Sequence, residues 1–522
     1  MRKVVYGLLI FSLFFVTGCV NLPFMGKGES EQTPAAPEKQ VPEKQEPEKE
    51  SVVQNQDVVI EPSKESETEI IIQDPVILED TEKSNEKTSE IVEEKEPEIP
   101  ENIQIAQKLQ QLLAAGDIKG AIKLCEDSLD KFADDIEFKL MLASLYLSDG
   151  QYSKAISIAN AVLEKDPQNK DAIEIKVFAA RASGDKQSYN AVVKQVLDKD
   201  PFNASANIMQ AEDYALNKKY KPARDSYRRA LRSEPENTQA LYGFALSSYF
   251  LDDIKTAKSY GEKVLEIEPE NAPALALMGK INAEENNYTS ATNYVLKALE
   301  SDPYNYEYHL DLGMYYRNRN MNNDAIKAFE RAVEIDNTYF LGYAYLAGLH
   351  DELGHYSDAL KNYKMVIKTN PKYYYAYESI AILEYHMKNY SEAGKYFAKA
   401  NEYNKNFSYQ MMQAASYFKQ KDTINAKKVL ASLMKTLDRE SMEYQMARFF
   451  NDSYSKNAET TLTQKIQKED NSNKKGKMLY YMGLYYELNG FQEVANEYYA
   501  RVSNLQAPMF FEYRFAEWSV GK

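Results

Sequence analysis

Small side chains return along this sequence at a fixed interval. In a frame of 34-residue slots starting at 102, 136, 170, 204, 238, 272, 306, 340, 374, 408, 442 and 476, position 8 is Ala or Gly in nine of the twelve, from Ala143 to Gly483. Position 20 is Ala in nine of the twelve, from Ala121 to Ala495. Larger apolar residues surround them, with Tyr152, Tyr220, Tyr288, Tyr356 and Tyr390 at position 17. Position 32 is Pro167, Pro201, Pro235, Pro269, Pro303, Asn337 and Pro371 in successive slots. The pattern predicts two short antiparallel helices per slot. Small residues let the two helices approach, and proline stops the second one. A period of this length means stacked copies of one supersecondary unit, with a core that runs as a seam between neighbours.

The pattern resembles the tetratricopeptide repeat family. Its clearest copies are 272–305, with Gly279, Tyr288, Ala291, Ala298 and Pro303, and 204–237, with Ala211, Tyr214, Tyr220, Ala223, Tyr227, Ala230 and Pro235. The resemblance implies an all-α, right-handed superhelical solenoid of about 10–12 helix-turn-helix units over residues 102–509, with a concave groove. Two regions depart from the pattern. Slot 170–203 has Tyr189 where alanine is expected, and slots 408–475 have Lys427 and Thr461 there and lack the proline. They are expected to be weak units and hinges, because array stability sums unit and neighbour terms. Residues 510–522, with Phe511, Tyr513, Phe515 and the single tryptophan Trp518, are expected to form a capping helix over the last seam.

The front of the chain reads differently. Arg2 and Lys3 precede the apolar stretch Val4 to Val16, which is too short for a membrane span. It ends in Val16-Thr17-Gly18-Cys19. This resembles the bacterial lipobox, which implies a signal peptide over 1–18 and acylation of Cys19 in an exported chain. Residues 19–101 are expected to be a disordered tether rich in Pro, Glu and Lys, with too little apolar surface to fold. Residues 28–101 hold 23 acidic and 7 basic side chains, the same net −16 as the whole chain, so the array itself is close to neutral. The acidic balance therefore describes the tether and not the groove. Nucleic acid is not an expected partner.

No catalytic constellation stands out, and neither a metal nor a cofactor is expected. The four histidines, His309, His350, His355 and His386, show no ligand spacing backed by acids on one face. There is no phosphate-binding glycine loop and no nucleophile elbow. Cys125 falls where the repeat packs an apolar side chain, so it reads as core. The chain is not expected to be an enzyme.

In the family, positions 2, 5, 9, 12 and 13 of the first helix line the groove. By that resemblance the candidate partner-binding residues are Tyr242, Tyr249, Phe250, Arg317, Tyr375 and Tyr385. Tyr and Arg suit such a role because they anchor protein interfaces. The Lys-and-Asn pair with which chaperone-tail binders clamp a carboxylate is missing; slot 272 has Ala276 and Lys280. A carboxylate-clamp chaperone partner is therefore not expected. The expected role is a lipid-anchored scaffold binding other envelope proteins, at the periplasmic face of the outer membrane. The alternative is a surface-exposed adhesin or glycan-capture lipoprotein.

Overall fold

The structure is a computed structural model, and it describes residues 101–452, 454–506 and 508–521. The expected signal peptide, Cys19 and the expected tether up to residue 100 lie outside the described residues. Helices α1 (Glu101–Ala114) and α2 (Ile118–Ser128) belong to a first unit, which ends at Lys131. In it Cys125 is buried, and burial with the nearby Glu126 pushes its thiol up to about 12. The second unit carries the remaining helices from residue 132 onward.

Those helices pair in sequence. They are α3 (Ile136–Ser148) with α4 (Tyr152–Lys165), α5 (Lys170–Ala182) with α6 (Lys186–Lys199), and α7 (Ala204–Leu216) with α8 (Tyr220–Ser233). Next come α9 (Thr238–Phe250) with α10 (Ile254–Ile267), α11 (Ala272–Glu284) with α12 (Tyr288–Ser301), and α13 (Tyr306–Asn318) with α14 (Asn322–Ile335). Then follow α15 (Phe340–Glu352) with α16 (Tyr356–Thr369), α17 (Tyr374–His386) with α18 (Tyr390–Tyr403), and α19 (Phe407–Lys419) with α20 (Thr423–Met434). The last are α21 (Met442–Asn451) with α22 (Lys456–Lys468), α23 (Ser472–Leu488) with α24 (Gln492–Ser503), and the single helix α25 (Glu512–Ser519). Among the described residues of this second unit the fold is an all-α solenoid of eleven helix pairs and a terminal helix, and each helix packs on the next.

The small positions set the distance within a pair. Ala211 and Ala223, Ala245 and Ala257, and Ala347 and Ala359 are fully buried. A Cβ on Gly279 would meet Val295 Cγ2 at 3.1 Å and the Ala291 carbonyl oxygen at 3.3 Å. The turn inside most pairs uses one left-handed residue at position 15. Gly150 and Gly354 fill it at φ 76° and 74°, but Lys218, Asp252, Asn286, Asn320 and Lys388 adopt the same conformation. The next amide then reaches back five residues, as Lys219 N does to the Tyr214 carbonyl at 2.8 Å, which satisfies a helix-end acceptor.

A second device sits between pairs. Asn169, Asn203, Asn237 and Asn271, each two residues after a proline, cap the next helix by accepting from an amide three residues on at 3.0 Å. Such a cap contributes about 1 kcal/mol. Tyr339 and Tyr373 stand at this place before α15 and α17 and make no side-chain cap.

The departures from the pattern resolve in two ways. The pair α19–α20 begins at Phe407, one residue before the 34-residue frame, and its left-handed turn residue is Lys421. The small seam residues are therefore Ala414 and Ala426, both fully buried, and Lys427 is exposed. The expectation of a hinge over 408–475 meets the opposite packing. Met411, Met412, Leu430, Met446, Leu462 and Ile466 join one continuous core reaching from Tyr377 to Ala516. The upstream pairs have smaller separate clusters instead. In slot 170–203 Tyr189 takes the alanine position and is buried beside Ile173, Val177 and Val193.

Candidate functional site

First-helix positions 9, 12 and 13 carry polar side chains that meet across neighbouring units. Arg181 pairs with Glu212, and Glu212 Oε1 accepts from Gln239 Nε2 at 2.7 Å. Tyr249 OH donates to Glu284 Oε1 at 2.9 Å. Lys280 holds both oxygens of the buried Asp311, at 2.8 and 2.6 Å. Arg317 Nε donates to Glu352 Oε2 at 3.2 Å, and Arg514 Nη1 donates to Asp351 Oδ2 at 2.8 Å. The groove charges thus neutralise one another along the array.

The sequence-predicted residues separate on this surface. Tyr242, Phe250, Arg317 and Tyr375 are half-buried. Phe250 stacks on Tyr220, with ring centroids 4.4 Å apart, and Tyr375 stacks on Tyr374 at 4.0 Å. Burial raises the Tyr242 phenol well above its ordinary range, and Glu307, two units on, adds to this. Tyr249 and Tyr385 do not face outward as expected. They are 5% and 9% exposed. Tyr249 is covered by the next unit through Glu284, and Tyr385 lies under Phe515 of α25, with ring centroids 5.2 Å apart. The periodic frame placed Tyr385 on the groove but carried no sign that another helix covers it.

Glu307 holds groove position 2 of its unit, although it is not among the candidate partner-binding residues. Its carboxyl is raised from 4.5 to about 7, because burial disfavours the charge and Asp311 repels it, against a smaller pull from Lys280 than burial exerts. A carboxyl raised on folding stabilises the fold fully below its unfolded value, and that contribution is lost as pH rises through the folded value. Stability is therefore expected to fall between pH 4.5 and about 7 through this group. Glu307→Gln should remove that slope and raise stability at pH 8 by on the order of 1 kcal/mol, discounted for partial exposure. Urea unfolding of both chains at pH 5 and pH 8 checks it; parallel pH dependences would refute the assignment.

The histidines do not assemble a metal centre. His309 contacts the Pro303 carbonyl oxygen at 3.0 Å, and His386 stacks on Trp518 at 3.9 Å. His350 and His355 bring their Nδ1 atoms to 3.4 Å. Among the described residues no three His, Cys, Asp or Glu side chains form a metal-binding group. No helix among them is long and apolar enough to cross a membrane.

Three family patterns, each described as a tetratricopeptide repeat, match residues 112–176, 306–339 and 346–406. The chain contains tetratricopeptide repeats. No curated protein matches it. Similar solved structures include MamA, 26% identical over 30% of this chain and 93% of that one, with a TM-score of 0.29. Another is pilF of Pseudomonas aeruginosa, 19% identical over 41% of this chain and 97% of that one, at 0.32. A third is YrrB, titled a TPR protein with an unusual peptide-binding site, 20% identical over 38% of this chain and 97% of that one, at 0.30. At these scores the assignment rests on the repeat itself and takes nothing from the neighbours.

Proposed function

We propose that this tetratricopeptide-repeat protein is a non-catalytic, lipid-anchored interaction scaffold of the bacterial cell envelope. The array would bind peptide or helix segments of other envelope proteins in its groove, and the acidic tether would set its reach from the membrane. The observation that carries the reading is the character of the groove. Many of its charges are paired within the array, and its half-buried surface is aromatic and aliphatic at Tyr242, Phe250 and Met314, with Arg317 among them. Such a surface suits burial of a partner's apolar anchors, with Arg and Tyr as hot-spot types. The lipobox-like start supports anchoring at Cys19 and export.

The test is crosslinking and affinity capture in the native cells. The wild-type chain is compared with Tyr242→Ala/Arg317→Ala after circular dichroism shows equal helicity. Envelope proteins captured by wild type should fall at least tenfold with the double variant. Equal capture by both chains would remove this groove as the binding surface, and retention of a glycan instead of protein would favour the capture-lipoprotein alternative.

A further inference from the structure

Helix α25 does more than lie on the last pair. Phe511, Arg514, Phe515 and Trp518 follow at i, i+3, i+4 and i+7, the spacing with which an amphipathic helix fills a groove. Each meets residues of units far back in the array. Phe511 stacks against Phe397 and Tyr409, with ring centroids 5.9 Å from each. Arg514 grips the carboxylate of Asp351 with both terminal nitrogens. Phe515 packs edge-on against Tyr385, and Trp518 stacks on His386 while its Nε1 donates to Tyr356 OH at 3.0 Å. Asp351, Tyr385 and His386 occupy groove positions 12 and 13 of their units. The chain's own C-terminus therefore sits where a partner helix would.

The contact is strong in its anchors but poorly matched beneath them. Glu512 is fully buried; its Oε1 accepts from Tyr481 OH at 2.6 Å, while Oε2 has no hydrogen-bond partner. Tyr385 OH and Ser408 Oγ are likewise buried without one. Glu378, another groove carboxylate, is close enough to Glu512 to feel its charge. Unsatisfied buried polar atoms and facing carboxylates lower the net gain of docking.

We propose that the groove between Asp351 and Tyr409 is a helix-receiving site, and that residues 511–518 hold it as a displaceable latch. The partner is an amphipathic helix with aromatic anchors and an arginine in the same i, i+3, i+4, i+7 spacing. This rests on the reading of the array as a groove scaffold and names the ligand class for one stretch of it.

The test uses purified full-length chain and a dye-labelled peptide of residues 505–522. Fluorescence anisotropy should show the peptide binding at least tenfold more tightly to Arg514→Ala/Phe515→Ala, whose own helix is weakened, than to wild type. Adding Asp351→Ala to that variant should weaken binding again by at least tenfold. A helical, folded double variant that ignores the peptide, or takes it equally with Asp351→Ala, overturns the proposal. If the double variant does not fold, amide exchange in the wild-type chain decides. Protection of 512–519 at least tenfold below that of 478–488 supports a latch, and equal protection makes α25 a permanent part of the core. The peptide assay needs no cellular partner, so peptide binding without cellular capture would sink the scaffold reading alone.

Discussion

Replacing Gly313 by valine is expected to destabilise the array by about 3 kcal/mol, while Gly348→Ala should stabilise it by about 0.5–1 kcal/mol. Both glycines lie inside first helices at adjacent repeat positions, 8 and 9, yet their surroundings differ completely. A Cβ on Gly313 would enter the ring of Phe329, which is fully buried on the facing helix. Phe329 also stacks on Tyr345 of the next unit, with ring centroids 5.2 Å apart, so it cannot swing aside without disturbing a second seam. Overpacking of that kind strains both helices, and valine adds branched bulk at the worst point. Around Gly348 no atom lies within 4 Å of the added Cβ. There alanine only removes the entropic cost of a helical glycine. Urea unfolding of the two variants beside wild type checks the pair. Gly313→Val within 1 kcal/mol of wild type would show that the seam at this unit is looser than its geometry.

That contrast marks how far the sequence could be read. The period of small residues located the helix pairs, because a close helix contact admits only Ala or Gly and the need recurs in every unit. The frame puts Gly313 at seam position 8 and Gly348 at groove position 9, but it could not show that the Phe329 ring fills the space facing the first. The one-residue slip at Phe407 was hidden for a similar reason. Ala414 and Ala415 are adjacent, so either could satisfy the frame, and only the seam contact of Ala426 selects the first. The asparagine caps were readable as proline, one residue, then asparagine, but the proline drew attention to where a helix stops and not to what starts the next.

The groove was legible as a set of positions and not as a surface. Position counting proposed Tyr242, Phe250 and Arg317 for the groove, and all three are half-buried. It could not show that Glu352 neutralises Arg317, that Glu284 covers the Tyr249 hydroxyl, or that Phe515 covers Tyr385. The first two pairs are separated by 35 residues, whereas the third belongs to the terminal helix, whose Arg514 reaches Asp351 across 163. The nearer ones follow from stacking one unit on the next. The far one comes from the terminal helix returning to units that a one-dimensional repeat would not bring near it, which is why the weak slots between them are packed in a shared core and do not act as an obvious break.

Cys19→Ser is expected to abolish incorporation of labelled palmitate into the chain in its native cells, and to move the mature array from the membrane to the soluble fraction. The argument is thermodynamic. The array is near neutral, the tether is strongly acidic, and no described helix is apolar enough to span a bilayer, so neither charge nor a described span would hold the chain at an anionic membrane. Each buried methylene of an acyl chain contributes about 0.8 kcal/mol, and stable anchoring takes more than one such chain. A thiol that starts the mature chain can carry them; a serine at the same place cannot form the thioether. Retained label in Cys19→Ser would place any lipid elsewhere. An unlabelled wild-type chain would remove the anchor and leave a repeat scaffold whose reach is set by something other than the acidic segment.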